Sequence, residues 1–156
     1  MGILGDEHRH TCTAISASVN LASRLEGLTK QLGCRILASD AIVQQLSTDQ
    51  LAALPHRRIG PAVVKGASKD VVVYDLFQTD ERGLQRYKAA TKTTFEEFGA
   101  ALLRPAAERD GTRVAALEAS LAAAAAEYGT HVADVTVCQM KQFASDTTGS
   151  LSFDEK

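Results

Sequence analysis

Asn20 and Arg24 are the residues whose types and spacing most suit chemistry on a ligand. They are four positions apart, so on a helix they share one face. An amide beside a guanidinium can hold a sugar oxygen and a phosphate together. Arginine suits the second task because its planar fork matches phosphate oxygens and stays charged. The plainer reading of both is a solvated helix face, where most Asn and Arg side chains sit. A second constellation is His8, His10 and Cys12, which alternate and would point to one face of a strand. Three such ligands can hold zinc. No fourth ligand lies nearby, and short His-rich turns are common without a metal.

The element that must carry Asn20 and Arg24 is legible. Val19, Ala22, Leu25, Leu28 and Leu32 recur at helical steps. Ser16 or Ser18 can cap the start, and Gly33 suits the C-terminal cap. Glu26 and Lys30 make a favourable surface pair. Before this helix, Gly2–Gly5 reads as the end of a strand and Thr11–Ser16 is β-rich. After it, Cys34–Ala38 reads as a short buried strand, and Ser39 or Asp40 caps a short helix through Leu46. Arg57–Lys65 and Val71–Phe77 flank the turn-forming run 66–70 and suggest a hairpin. Val71–Tyr74 is the strongest strand signal in the chain.

The pattern changes near Phe77–Gly83. Leu84, Tyr87, Thr91, Phe95, Phe98 and Leu102 follow helical spacing up to Arg104-Pro105. Val114, Leu117, Leu121, Ala125 and Tyr128 continue it, which suggests an antiparallel helical hairpin. A third helical piece covers Val132–Phe143. Ala144–Lys156 is polar and is expected to be disordered.

Composition excludes several classes of function. Lys and Arg number 17 against 19 Asp and Glu, so no basic face marks a nucleic-acid partner. No apolar run approaches the ~18 residues of a membrane span, and Met1–His10 is not a signal peptide. Cys12, Cys34 and Cys138 are scattered and odd in number, which fits the cytoplasm or another reducing compartment. Apolar residues are 45% of the chain but aromatics only 5%, so any core is built mainly from Ala, Val and Leu.

Three blocks in order carry a resemblance to a known family. Val19-Asn20-Leu21-Ala22-Ser23-Arg24-Leu25-Glu26 resembles the V-N-x-A-x-R-L-E signature of class III adenylate and guanylate cyclases. Gly5-Asp6-Glu7-His8-Arg9 looks like the turn that precedes that signature. Val64-Lys65-Gly66 followed by Val72-Val73-Tyr74-Asp75-Leu76 is similar to its V-K-G and V-x-V-Y-x-L ending. The resemblance covers the first half of the chain and corresponds to the C-terminal half of the cyclase domain. It implies that Asn20 orients a ribose and that Arg24 stabilises charge developing on phosphates. It also implies that Lys65 adds a phosphate contact and that Thr13 reads a purine edge. Lys65 is equally readable as a turn residue and Thr13 as a strand residue.

The same resemblance marks departures. The family's two metal-binding aspartates lie upstream of the first matching block, so neither is among these residues. Ser16 and Ala17 stand where the family has Gly-Asp or Gly-Asn, and Cys12 where it has Tyr. The expected fold class is therefore α+β. Residues 1–78 are read as the C-terminal half of a cyclase homology domain, a truncated ferredoxin-like unit. Residues 82–143 are a helical hairpin or small bundle, and residues 144–156 a disordered tail. The expected role is a cyclase-derived, catalytically inactive subunit or fragment in a larger assembly. One alternative is half of a cyclase site that makes cyclic AMP from ATP, completed by a partner chain that supplies the aspartates. A nucleotide-binding regulator is another. No cofactor is expected in this chain alone; magnesium or manganese enters only with such a partner. Expected partners are another polypeptide and ATP or GTP, because an incomplete sheet would leave an apolar face to cover.

Overall fold

The computed structural model describes residues 2–6, 9–13, 16–65, 67–128, 134–145 and 148–153, those before Ser16 by backbone alone. In chain order the elements are β1 (Gly2–Asp6), β2 (Arg9–Thr13), α1 (Ala17–Leu32), β3 (Leu37–Ser39), α2 (Asp40–Val43), α3 (Thr48–Ala53), β4 (His56–Ala62) and β5 (Val71–Leu76). Four further helices follow: α4 (Arg82–Ala90), α5 (Lys92–Leu102), α6 (Gly111–Glu127) and α7 (Val135–Phe143). A single 3-10 turn at Ala106–Glu108 separates α5 from α6. The class is α+β. β1 and β2 form an antiparallel pair, and β3, β5 and β4 form an antiparallel sheet with β5 in the middle.

The helix that carries Asn20 and Arg24 is fixed at both ends. Ser16 accepts a hydrogen bond from the Val19 amide at 3.2 Å, satisfying one of the free donors of the first turn. Gly33 closes the other end in the left-handed region, φ 67°, where a side chain would be strained. That cap also takes the Cys34 amide, which donates to the Thr29 carbonyl at 2.9 Å. The strand expected over Cys34–Ala38 starts only at Leu37: the Cys34 amide is spent on ending α1, and pairing with β5 begins where the Ile36 carbonyl accepts from the Leu76 amide at 3.0 Å. The helix expected to run to Leu46 stops at Val43, and a separate helix, α3, follows. Its Ser47–Gln50 capping box is complete, with both reciprocal bonds made.

The helical stretch from Leu84 to Leu102 is two helices. Thr91 bends the chain between α4 and α5, and its hydroxyl donates back to the Tyr87 carbonyl at 2.7 Å. Such back-bonding competes with the regular ladder. The bend lets α5 lie against β4. Phe95 and Phe98 are fully buried there, and Gly99 faces the strand so closely that a Cβ would stand 2.8 Å from the Ile59 carbonyl oxygen. A glycine is what allows the approach.

One core joins the two parts of the chain. Leu25, Leu28, Ile59 and Val73 from the front pack with Phe95, Phe98, Leu121, Met140 and Leu151 from the back. Each such side chain contributes about 1.5–3 kcal/mol when fully buried. Cover that was expected from another polypeptide is thus supplied, over this face, by the chain's own helices. The tail needs a correction as well. Its described part is ordered: Leu151 is fully buried, bridges Ala62 in parallel, and exchanges backbone bonds of 2.8 and 2.9 Å with Val63 and Pro61. The outer edge of β4 is thereby covered rather than left to pair with a stranger. Among the described residues, no helix is long and apolar enough to cross a membrane.

Candidate functional site

An open cleft of about 590 Å³ lies between the first half of α1 and the segment from Val64 to Val71. Asn20, Arg24 and Lys65 all line it. Asn20 and Arg24 are exposed on α1, and Arg24 borders the buried Leu28 one turn further along the helix. Lys65 comes from the first part of the loop that follows β4 and is exposed too. Lys69, Ser39 and Ser68 add polar groups; Asp40 and Asp70 add carboxylates. The cleft therefore carries three cations, Arg24, Lys65 and Lys69, against two anions. Amide, guanidinium, ammonium and hydroxyls facing one space can bind a polar, anionic ligand that has both sugar-like and phosphate-like oxygens. Its size suits a small molecule.

Three curated proteins are similar to part of this chain. An adenylate cyclase of Anabaena cylindrica is 42% identical over 77 residues, 49% of this chain and 15% of its own length. Adenylate cyclase 1 of Rhizobium meliloti (strain 1021) is 37% identical over 76 residues, 49% of this chain and 11% of its own length. The terminal-differentiation specific adenylate cyclase of Dictyostelium discoideum is 36% identical over 76 residues, 49% of this chain and 4% of its own length. About half of this chain is related to adenylate cyclases. The matched stretch is a small share of those much longer relatives. No family model matches the chain, and no solved structure matches it.

The cyclase relationship sharpens the question of a metal. Among the described residues, Asp40 and Asp70 are the carboxylates that line the cleft. Among the described residues, no group of three or more His, Cys, Asp or Glu is placed to hold a metal ion. The described residues do not compose a metal site, and no chemical step is routed through one. Thr13 ends β2 and pairs with Gly2; its side chain lies outside the described residues. So do the side chains of His10 and Cys12, and the whole of His8.

The sequence did not reveal a second cluster, buried between front and back. The Arg57 side chain is fully buried on β4. It donates to Asp75 at 2.9 Å and, through both terminal nitrogens, to Asp134 at 2.5 and 3.1 Å. Its guanidinium carbon stands 3.8 Å above the centre of the Phe95 ring. Lys88 on α4 bridges Asp75 at 2.9 Å and Asp80 at 2.6 Å. Asp134 also caps α7 by accepting from the Thr136 amide. Burial pulls the Arg57 pKa down, but Asp134 and Asp75 outweigh it, so the net shift is upward and the charge is secure. Burial raises the Asp134 pKa, yet Arg57 outweighs this and holds the carboxyl below its usual value. Cys34 abuts the cluster, 3.5 Å from the Thr136 hydroxyl. Burial first, then Asp75, pushes its thiol up to about 12, which leaves it without nucleophilic character. This cluster is closed to solvent and joins β4, β5, α4 and α7. Its geometry is that of a fold-holding network.

Proposed function

We propose that this chain is a cyclase-derived module that holds the sugar and phosphates of a purine nucleotide and does not turn the nucleotide over by itself. In this reading it serves as a component of a larger assembly. One observation carries the proposal: Lys65, far from α1 in sequence, lines the same open cleft as Asn20 and Arg24. Those are the three side chains for which the cyclase resemblance implies ribose and phosphate contacts. Arg24 and Lys65 would pair with phosphate oxygens, and Asn20 would bond a sugar hydroxyl. The expected absence of turnover rests on the metal route. Deprotonating a ribose hydroxyl next to a triphosphate calls for a general base or a metal. Among the described residues, Asp40 and Asp70 are joined by no third candidate ligand, which supports a cleft without the metal-assisted route.

The test has two readouts on the purified chain. Incubation with ATP or GTP and either magnesium or manganese should yield no cyclic nucleotide. Calorimetric titration with ATP should show binding that weakens about 10-fold in Arg24→Ala and in Lys65→Ala, in line with the loss of one charged hydrogen bond each. Robust cyclic AMP production that disappears in Arg24→Ala would overturn the non-catalytic reading. Binding unaffected by both substitutions would overturn the site.

A further inference from the structure

A second cleft, about 360 Å³, adjoins the first and shares Arg24, Val64 and Lys65 with it. The two cations proposed to hold phosphate therefore stand in a wall that is reached from two sides. On the far side the same space is lined by Phe153, which no cyclase-like block reaches. Phe153 is brought there by an anchored segment. The Leu151 amide donates to the Pro61 carbonyl at 2.9 Å, the Ser152 amide donates to the Phe143 carbonyl at 2.9 Å, and the Phe153 and Phe143 rings sit 4.7 Å apart.

The next two residues in the sequence are Asp154 and Glu155. They lie outside the described residues, and the anchor before them bounds where their charges can go. Each residue adds at most about 3.6 Å of chain, so the backbones of both start within about 7 Å of Phe153 along any course. Two carboxylates are thereby tethered beside Arg24 and Lys65, at an effective concentration on the order of millimolar. The charges already in place leave a role for them. The first cleft sets Asp40 and Asp70 against its cations. The second contains the same Arg24 and Lys65 but no carboxylate among its described lining residues. Negative charge is short on the side from which the acidic pair emerges.

We infer that Asp154 and Glu155 pair with Arg24 and Lys65 across the second cleft and compete there with the phosphates of the nucleotide, so the C-terminal segment lowers the affinity of the site. The inference rests on the nucleotide reading above and supplies its regulation. A carboxylate paired with either cation cancels much of the field that draws a triphosphate in. It also takes donors that a phosphate oxygen would use. A basic partner surface that drew the acidic pair away would restore both.

Two measurements on the full chain test this. A zero-length carbodiimide cross-linker, followed by peptide mass spectrometry, joins an ammonium to a carboxylate only where the two meet. Lys65 should be joined to Asp154 or Glu155 within the monomer, and ATP should suppress the product. Calorimetry without divalent metal then compares the chain with its Asp154→Asn/Glu155→Gln variant, which keeps side-chain size and removes the charge. The variant should bind ATP about 3-fold more tightly, the scale of one exposed ion pair. The gain should shrink as salt rises. Equal ATP affinity in the two chains overturns the inference and leaves the nucleotide site standing. A Lys65 cross-link that is absent, or confined to dimers in which a second copy supplies the carboxylates, overturns the contact within one chain. No ATP binding by either chain overturns the nucleotide reading and this regulation with it.

Discussion

The charges along the cleft stay at the surface, whereas the charges where the sheet meets the later helices, Arg57 and Asp75 from the strands with Lys88 and Asp134 from beyond them, are taken inside. Asn20, Arg24 and Lys65 are exposed along a cleft and depend on the fold only for position. Lys88 and Asp134 are 2% and 7% exposed and meet Arg57 and Asp75, both fully buried on the sheet. Exposed charges can be exchanged with little penalty to the fold and are free to meet a ligand. Buried ones are costly to strand: a lone buried charge forfeits hydration with nothing in return. The contrast teaches where to look for function and where for folding. Perturbing the cleft should change binding, and perturbing the network should separate front from back.

The largest effect is expected for Arg57→Ala. It leaves the Asp134 and Asp75 carboxylates facing each other without their guanidinium, which should cost about 3–5 kcal/mol. Urea unfolding would measure it, and a loss below about 1 kcal/mol would mean that the network does not tie the two parts together. Next comes Gly99→Ala, which forces α5 away from β4 through the contact with Ile59 and should cost about 1–3 kcal/mol. Gly83→Ala is its control. Gly83 lies in α4 with nothing within 4 Å of a new Cβ, so that change should stabilise by about 0.4–1 kcal/mol. If both variants melt alike, α5 does not approach the strand as described.

The third prediction concerns acid. Asp134 has a folded-state pKa below its ordinary value of 3.8. The unfolded chain therefore binds a proton there first. The stability this group contributes is present above the unfolded value and is lost as pH falls through the folded one. Unfolding free energy should drop steeply below about pH 4, and Asp134→Asn should flatten that limb while lowering stability at neutral pH. An acid limb unchanged in the variant would assign the effect to other carboxylates. The smallest stability change is expected for Arg24→Ala, within about 0.5 kcal/mol, together with the loss of ATP affinity. A variant that unfolds instead would move Arg24 from the ligand side of the comparison to the structural side.

Much of the front was legible because its signals are local. Ser16 and Gly33 bracket α1, and the alternation around 57–76 announces the β4–β5 pair. β3 was displaced because the Cys34 amide goes to the helix cap and pairing with β5 begins only at Ile36. α3 passed unnoticed because six residues carry little periodicity, although its Ser47–Gln50 capping box stood in the sequence. At the site, helical spacing puts Asn20 and Arg24 on one face, but their expected roles, like that of Lys65, come from the resemblance. The buried network was not legible. Arg57, Asp75, Lys88 and Asp134 look like four ordinary surface charges until the sheet and helices bring them together across long separations. Leu151 and Phe153 were hidden likewise, as two apolar residues in a polar tail.

The pairing of Leu151 with Ala62 has a consequence in time. The outer margin of β4 leaves the ribosome roughly 90 residues ahead of the segment that will border it, and at ~5–20 residues per second that is several seconds of synthesis. Throughout that interval the nascent sheet lacks Leu151, and early in it Phe95 and Phe98 as well. The margin of β4 is therefore closed by the segment around Leu151, well after the cyclase-like motifs between Val19 and Leu76 have been made.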